Sequence, residues 1–219
     1  MPQPRSDTGT DHHLYLASRS PRRLALLEQI GVRVALVEAN TDETRRPGES
    51  PETYVRRVAL EKARAGRAAV SEDERRPVLA ADTAVVLGDM TLGKPTDRAS
   101  AAHMLSTLSG RSHRVLTAVA LIDGERELTD LSDSLVTFRA LQESEILNYW
   151  ETGEPCDKAG AYAIQGIGAL FVSDLQGSYS GVMGLPLFET GRLLAAAGIH
   201  VITPVSENHR SLSFRGERG

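Results

Sequence analysis

A short apolar run that leads directly into a helix start is the feature that most constrains the fold of this chain. Residues 14–17 predict a buried strand, and residues 18–23 predict a tight turn and the first turn of a helix. Ser20 suits the N-cap, and Pro21 suits the first helical position. Backbone N–H groups, hydroxyls and the charges of Arg22 and Arg23 then meet at one helix N-terminus, an arrangement typical of phosphate binding.

Helical and strand patterns alternate along the rest of the chain. Helices are expected over 21–30, 51–69, 97–108 (capped by Thr96), 144–151 and 186–197, and strands over 32–37, 78–81, 115–122, 135–138 and 169–172. A hairpin is expected over 84–92, with its turn at Gly88 and Asp89. The alternation predicts an α/β fold over residues 14–203, and the strand-rich second half suggests a second lobe with a ligand cleft between the two. Residues 1–13 and 204–219 are polar and are expected to be loose tails.

Composition and charge exclude several classes of protein. Lys and Arg number 25 against 29 Asp and Glu, so the net charge of -4 argues against stable binding to nucleic acid. No apolar run approaches the roughly 20 residues of a membrane span, and the N-terminus lacks the apolar core of a signal peptide. Cys156 is the single cysteine, which excludes an internal disulfide and fits a reducing compartment, so we expect a cytoplasmic protein.

Charged residues near predicted strand ends and turns are candidates for chemistry on a polyphosphate. Asp82 directly follows the predicted strand 78–81, and Lys94 lies on a later turn. Together with Arg22 and Arg23 they form a plausible set for cleaving a polyphosphate with a metal ion. Each residue also has a purely structural interpretation: the arginines as surface charges and Asp82 as a turn carboxylate. The loop pair Asp42-Glu43 is either solvated or, with Asp82, a ligand set of the kind that Mg²⁺ prefers.

The segment 157–166 predicts a binding loop, because it mixes charges, small residues and one aromatic without a clear period. Gln165 has an amide that is able to contact the edge of a nucleotide base. Tyr162 either stacks on a ligand or packs in the core. Cys156 lies beside this loop without an identifiable histidine partner and is interpreted as inert.

Taken in order, nine short segments make the chain resemble the Maf family of nucleoside triphosphate pyrophosphatases. The resemblance covers the chain from about residue 14 to residue 199, and the ordered set of segments is specific although each segment alone is weak. The segments are Leu-Ala-Ser-Arg-Ser-Pro-Arg-Arg at 16–23, Asp-Glu at 42–43, Glu-Lys-Ala at 61–63, Ala-Ala-Asp-Thr at 80–83, Leu-Gly-Lys-Pro at 92–95, Leu-Ser-Gly at 108–110, Asp-Lys-Ala-Gly-Ala-Tyr at 157–162, Ile-Gln-Gly at 164–166 and Gly-Leu-Pro at 184–186.

This resemblance implies a fold related to inosine triphosphate pyrophosphatases, with an elongated mixed sheet, two lobes and a central cleft. It implies hydrolysis of a nucleoside triphosphate to the monophosphate and pyrophosphate with a divalent metal (Mg²⁺, Mn²⁺ or Co²⁺), and a possible homodimer. Asp82 matches the family's general base, and Glu43 and Asp82 match its metal ligands. The remaining assignments are phosphate or substrate binding for Ser18, Arg22, Arg23, Lys62 and Lys94, and substrate choice for Arg22, Thr83 and Gln165.

The wording of the 157–166 segment is similar to the branch of the family that acts on dTTP and UTP. Modified pyrimidine triphosphates are further candidate substrates. Two alternatives stay open: an enzyme directed at 7-methyl-GTP or another purine nucleotide, and a nucleotide-binding regulator of septum formation. Arg19, Ala163 and Met183 depart from the commonest family pattern, and none of them matches a residue assigned to chemistry.

Overall fold

The computed structural model describes residues 12–202, and a mixed β-sheet runs through this part of the chain. Its strands are β1 (Leu14–Leu16), β2 (Val34–Leu36), β3 (Val78–Leu87), β4 (Met90–Leu92), β5 (Ser112–Asp123), β6 (Arg126–Phe138) and β7 (Val172–Gln176). The α-helices are α1 (Pro21–Gln29), α2 (Pro51–Ala69), α3 (Arg98–Leu108), α4 (Glu143–Glu151), α5 (Tyr179–Met183) and α6 (Leu187–Ala196). Short 3₁₀ helices span Glu154–Asp157, Ala159–Ala161 and Ile167–Phe171.

The strand order confirms the predicted α/β class. The sheet runs β2-β1-β3-β5-β6-β7, and β4 adds to β3. β1 is parallel to β2 and β3, whereas β3, β5, β6 and β7 pair antiparallel.

The described helices contain no segment that is both long and apolar enough to cross a bilayer. The predicted C-terminal tail and residues 1–11 lie outside the described residues, while His12 contacts the Tyr15 ring and the His13 N–H donates to the Arg33 carbonyl.

One edge of β3 is open in the middle of the strand, and this opening positions the site. β1 pairs with β3 at Val78 and Leu79, and β4 pairs with it at residues 85–87. Residues 80–84 of β3 therefore lie between these two partners on that side, while β5 pairs with them on the other. Because side chains alternate along a strand, Asp82 and Thr83 point to opposite faces at this opening.

Apolar side chains of the described residues gather in three clusters. α2 covers one face of the sheet, where Val55 and Ala59 meet Ala80 and Ala84. α1 and α6 cover the other face around β1. The third cluster joins α3 and α4 to the far ends of β3 and β5 and to the loop after α4. The first two clusters lie on opposite faces of the same part of the sheet, and the third forms a separate core around α3 and α4.

Several sequence-based boundaries are wrong, for identifiable reasons. Asp82 does not end a strand, because β5 supplies hydrogen bonds far beyond it, to Val86. The strand predicted over 135–138 is longer and begins at Arg126. Its first part was not predicted because many of its residues are polar and exposed. Residues 169–171 end a 3₁₀ helix, so the strand predicted there begins only at residue 172, and α5 was not predicted. Asp97, not Thr96, caps α3, where its side chain accepts a hydrogen bond from the Ser100 N–H.

Candidate active site

The residues that the sequence assigned to the site line one cavity of about 480 Å³. The cavity opens where β3 lacks a neighbouring strand, between the end of β1 and the loop that follows α4. All of the assigned residues line this cavity: Ser18, Arg22, Arg23, Glu43, Lys62, Asp82, Thr83, Lys94 and Gln165.

Asp82, Lys62 and Glu43 form a connected group at the floor of the cavity. The Lys62 Nζ lies 2.8 Å from Asp82 Oδ1 and 2.9 Å from Glu43 Oε1. Asp82 is only 5% exposed and Lys62 9%, whereas Glu43 is exposed on its loop. A buried ammonium is stable only when it is paired, so this lysine requires the two carboxylates that it joins.

The second oxygen of Asp82 is chemically available. Asp82 Oδ2 is buried and accepts no hydrogen bond from the described residues. Burial raises the pKa of the Asp82 carboxyl, and the neighbouring Lys62 opposes that shift. A buried carboxylate with one oxygen held in place and the other free is suited to orienting water, accepting a proton or binding a cation.

The donor set around Asp82 fits a divalent metal ion. Asp82, whose Oδ2 has no partner, and the exposed Glu43 both pair with the Nζ of the same lysine, which brings their carboxylates close together. Across the described residues, no group of three or more Cys, His, Asp and Glu side chains is arranged to hold a metal alone. An ion here would complete its shell with water and phosphate oxygens, as Mg²⁺ commonly does.

Arg23 serves as an internal brace as well as a wall of the cavity. Its guanidinium donates to the Gly184 carbonyl at 2.7 Å, to Ser18 Oγ at 3.2 Å and to Thr83 Oγ1 at 3.3 Å. Burial lowers its pKa, and Asp82 opposes that effect. The sequence indicated an arginine facing an anion, but it gave no sign that this side chain ties α1 to β3 and to the end of α5.

The hydroxyl of Thr83 is oriented by a buried relay. Thr117 Oγ1 donates to the Gly181 carbonyl at 2.7 Å and lies 3.0 Å from Thr83 Oγ1. Since Thr117 has one hydroxyl proton and uses it on Gly181, Thr83 must donate to Thr117. Thr83 therefore meets Arg23, and any further group, only as an acceptor. Thr117 was missed by the sequence analysis because a threonine within a strand carries no distinguishing signal.

The helix start predicted to bind phosphate has a different local geometry from the one expected. Ser20 is the N-cap of α1, but its side chain caps no N–H group; instead its own N–H donates to Ser18 Oγ. Arg22 reaches across the cavity to Asp157 at 3.1 Å, and both side chains keep solvent access. Lys94, on the loop after β4, is exposed. The mouth of the cavity thus carries two accessible cations.

A bracing group holds the loop that carries Glu43. Arg57 pairs with Glu49 at 2.7 Å and donates to the Thr44 carbonyl at 3.0 Å, while the Tyr54 hydroxyl donates to the Glu43 carbonyl at 2.9 Å. The arginine side chain is only 13% exposed. Its hydrogen bonds to Glu49 lower the pKa of that carboxyl to about 2. Arg57 therefore supports the position of the Glu43 loop from α2.

The predicted binding loop turns sharply against the core. Gly160 and Ala161 both have positive φ, +70° and +59°, in consecutive positions. A left-handed alanine is uncommon and strained, which is typical of a segment held in place for function. Tyr162 packs in the core with its hydroxyl 2.9 Å from His113 Nε2, so its ring is mainly structural. Gln165 is exposed at the cavity.

Comparison with known proteins agrees with the sequence motifs and the site. The family model described as "Maf-like protein" matches residues 13–197. The chain belongs to the Maf family. Among its Maf relatives, a protein of Alkalilimnicola ehrlichii named dTTP/UTP pyrophosphatase is 58% identical, with 83% of this chain and 91% of that protein aligned. A Xanthomonas campestris protein of the same name is 55% identical over 85% of this chain and 100% of its own length.

More distant comparison adds little to the Maf assignment. The Ham1 protein of Staphylococcus aureus is 14% identical, with a TM-score of 0.38, and the match covers 57% of this chain and 70% of that one. A TM-score at that level does not define a shared fold.

Proposed function

We propose that this Maf protein is a nucleoside triphosphate pyrophosphatase that hydrolyses dTTP and UTP to the monophosphate and pyrophosphate. The observation that carries the proposal is the buried Asp82, whose Oδ2 has no hydrogen-bond donor among the described residues, in a cavity that also contains Arg22, Lys62 and Lys94. Relatives that share more than half of their residues with this chain carry the name dTTP/UTP pyrophosphatase. Modified pyrimidine triphosphates belong to the same substrate class.

In this proposal Asp82 acts on the attacking water. Its Oδ1 is held by Lys62, so Oδ2 is the atom that accepts a hydrogen bond from water and then its proton. Burial raises the pKa of Asp82, which makes its carboxylate a stronger base than an exposed aspartate. Water aligned in this way would attack the α-phosphorus in line with departing pyrophosphate.

The cations at the cavity stabilise the negative charge of the triphosphate. Arg22 and Lys94 are accessible at the mouth and would contact the departing pyrophosphate. The phosphate must compete with Asp157 for Arg22, because the two side chains are paired in this structure. Charged donors near the leaving group lower the barrier by stabilising the negative charge that develops on it.

Glu43 and Asp82 are the residues that would hold a divalent metal, Mg²⁺, Mn²⁺ or Co²⁺. Such an ion supplies positive charge that polarises phosphate oxygens and lowers the pKa of bound water. The chain's own contribution is to hold the two carboxylates together through Lys62 Nζ and to limit access of solvent to Asp82.

A substrate panel tests the proposal against its alternatives. We expect purified protein with Mg²⁺ or Mn²⁺ to release pyrophosphate from dTTP and UTP much faster than from purine nucleotides. Preferential turnover of 7-methyl-GTP would keep the chemistry and refute the pyrimidine assignment. Nucleotide binding without turnover by folded protein would refute the enzyme and support the regulator.

Two further expectations from the family resemblance stay predictions, namely a homodimer and a cytoplasmic location. Sedimentation of the purified chain at several concentrations tests the first. Fractionation of cells that express the full chain tests the second.

A further inference from the structure

The carboxylate of Glu154 lies behind the Gln165 loop and accepts three hydrogen bonds. Oε1 accepts from the Tyr149 hydroxyl at 2.7 Å and from the Gly168 N–H at 3.0 Å. Oε2 accepts from the Ile167 N–H at 2.9 Å. Glu154 opens the first 3₁₀ helix after α4, so one side chain joins the start of that helix to the backbone that follows Gln165.

Tyr149 completes the connection on the other side of Gln165. Its oxygen accepts a hydrogen bond from the Ala163 N–H at 3.1 Å, while its O–H donates to Glu154. The ring is 3% exposed and stacks edge-on with Phe171 at 4.9 Å, so the hydroxyl has little freedom to move. Burial raises the pKa of Tyr149, which keeps the hydroxyl protonated. The backbone is thereby fixed both before and after Gln165.

Two glycines in the loop make room for these contacts. A Cβ on Gly166 would lie 2.2 Å from Glu154 Oε2, and a Cβ on Gly168 would lie 2.8 Å from the Tyr149 hydroxyl. Both distances are far shorter than ordinary van der Waals contact. This close approach therefore requires glycine at both 166 and 168.

The charge of Glu154 suits three donors. Partial burial raises its pKa, but hydrogen bonds from Tyr149, Gly168 and Ile167 more than offset this and lower the pKa below its usual value. An ionised carboxylate accepts without donating, so all three donors find a partner. The Lys158 Nζ also donates to the Glu154 carbonyl at 2.8 Å, which ties the same residue to the start of the loop.

We propose that Glu154 and Tyr149 are positioning residues that fix the backbone on both sides of Gln165 and thereby set which base the cavity accepts. This inference rests on the proposed function, because it assigns the Gln165 loop to base choice. Neither side chain lines the cavity, so their effect is transmitted through the loop. A single side-chain amide distinguishes one base from another only if its position relative to the edge of the base is fixed.

Glu154→Gln and Tyr149→Phe test this role by steady-state kinetics. The first substitution places an amide N–H₂ among hydrogen-bond donors, and the second keeps the ring packing while removing the hydroxyl. We expect each variant to lower the ratio of kcat/KM for dTTP over dATP by about tenfold, mainly through KM for dTTP. Since both side chains act through one network, the double variant should lose little more than either single variant.

Glu151→Gln is the matched control. It removes the same charge three residues away, where Glu151 is exposed and contacts Arg98. The control should leave the ratio unchanged. An unchanged ratio in the Glu154 and Tyr149 variants would overturn the proposal. If kcat/KM for dTTP and dATP fell equally, the pair would have a merely structural role.

Amide hydrogen exchange measures the positioning without turnover. In Glu154→Gln the Ile167 and Gly168 amides should exchange faster, and in Tyr149→Phe so should the Ala163 amide, while amides of β5 keep wild-type rates. Unchanged exchange at all three amides would overturn the positioning. If the wild type fails to hydrolyse dTTP and UTP, the proposed function fails. Faster amide exchange in the variants would still show that Glu154 and Tyr149 hold the loop. If Glu154→Gln does not fold, Tyr149→Phe carries the same test.

Discussion

At the scale of single residues, the charged residues of the site were easier to predict than the residues that hold the site in place. Asp82, Lys62 and Glu43 were identified by matching short motifs, and the structure brings both carboxylates within hydrogen-bonding distance of the lysine. The residues that support the site were not identified. Arg57 holds the loop of Glu43 and Thr117 orients Thr83, both through contacts between distant chain segments. Neither type of residue is unusual on a helix or in a strand.

Asp82→Asn tests the residue on which the proposed mechanism depends. An amide at this position no longer accepts a proton at neutral pH, so kcat for dTTP should fall by about 10²-fold or more. Asp174→Asn, on the exposed face of β7, is the control and should retain wild-type kcat. An Asp82→Asn enzyme with near-normal kcat would refute both the base and the metal-ligand assignments.

Gln165→Glu tests base recognition directly. The substitution replaces the amide N–H₂ with an acceptor in an exposed loop position, so the fold should be unchanged. We expect kcat/KM for dTTP and UTP to fall by about tenfold or more, with a smaller change for dATP. Equal loss across all nucleotides would assign Gln165 to loop structure rather than to substrate choice.

Thr117→Val tests the hydroxyl relay beneath Arg23. Valine has a similar shape but leaves the Gly181 carbonyl and the Thr83 hydroxyl without their buried partner. The free energy of unfolding should fall by about 1–3 kcal/mol in urea titrations. Thr129→Val on the exposed face of β6 is the control. A loss no larger than that of the control would show that the relay does not stabilise the fold.

At the scale of elements, strongly periodic segments were predicted well and irregular ones poorly. α1 and α2 begin at Pro21 and Pro51, as predicted. The predicted range of β6 was too short, because the polar residues on its exposed face resemble those of a loop. The 3₁₀ helices after α4 have no period to detect, since close contacts with glycines shape them instead.

Gly66→Ala tests how closely α2 must approach the sheet to deliver Lys62. A Cβ there would lie 2.7 Å from the Ala17 Cβ and 3.0 Å from Val78 Cγ1, so α2 must shift away from β1 and β3. We expect a loss of about 1–3 kcal/mol in the free energy of unfolding. kcat should fall as well, because the shift separates Lys62 from Asp82.

Gly191→Ala is the matched control in another helix. Nothing lies within 4 Å of a Cβ at this position in α6. Alanine there should stabilise the protein by about 0.5–1 kcal/mol, because it lowers the entropy lost on folding. Similar effects of the two substitutions would refute the close packing of α2.

At the scale of the whole molecule, the alternation of elements predicted the class and the location of the cleft. It did not predict the gap in the pairing of β3, which results from β1 and β4 meeting the same edge at separate places. The lobe built around α3 and α4 has a core with a buried polar pair. His113 is 1% exposed among Phe138 and Tyr162, and only its Nε2 has a partner among the described residues.

His113 makes stability depend on pH. Burial lowers its pKa to about 4, so between the unfolded value of 6.5 and about 4 the unfolded chain binds the proton more readily. Its contribution is complete above the unfolded pKa and is lost as the pH falls toward the folded one. Wild type should lose about 2 kcal/mol more than His113→Gln between about pH 7 and pH 5 in urea titrations. Parallel losses in the two proteins would refute this.

In the proposed mechanism, water activated beside Asp82 attacks the α-phosphorus of a pyrimidine nucleoside triphosphate. Hydrolysis of dTTP in ¹⁸O-labelled water, followed by mass spectrometry of both products, tests it directly. We predict that the label enters dTMP and that pyrophosphate stays unlabelled. Label in pyrophosphate, or formation of dTDP and labelled phosphate, would refute attack at the α-phosphorus.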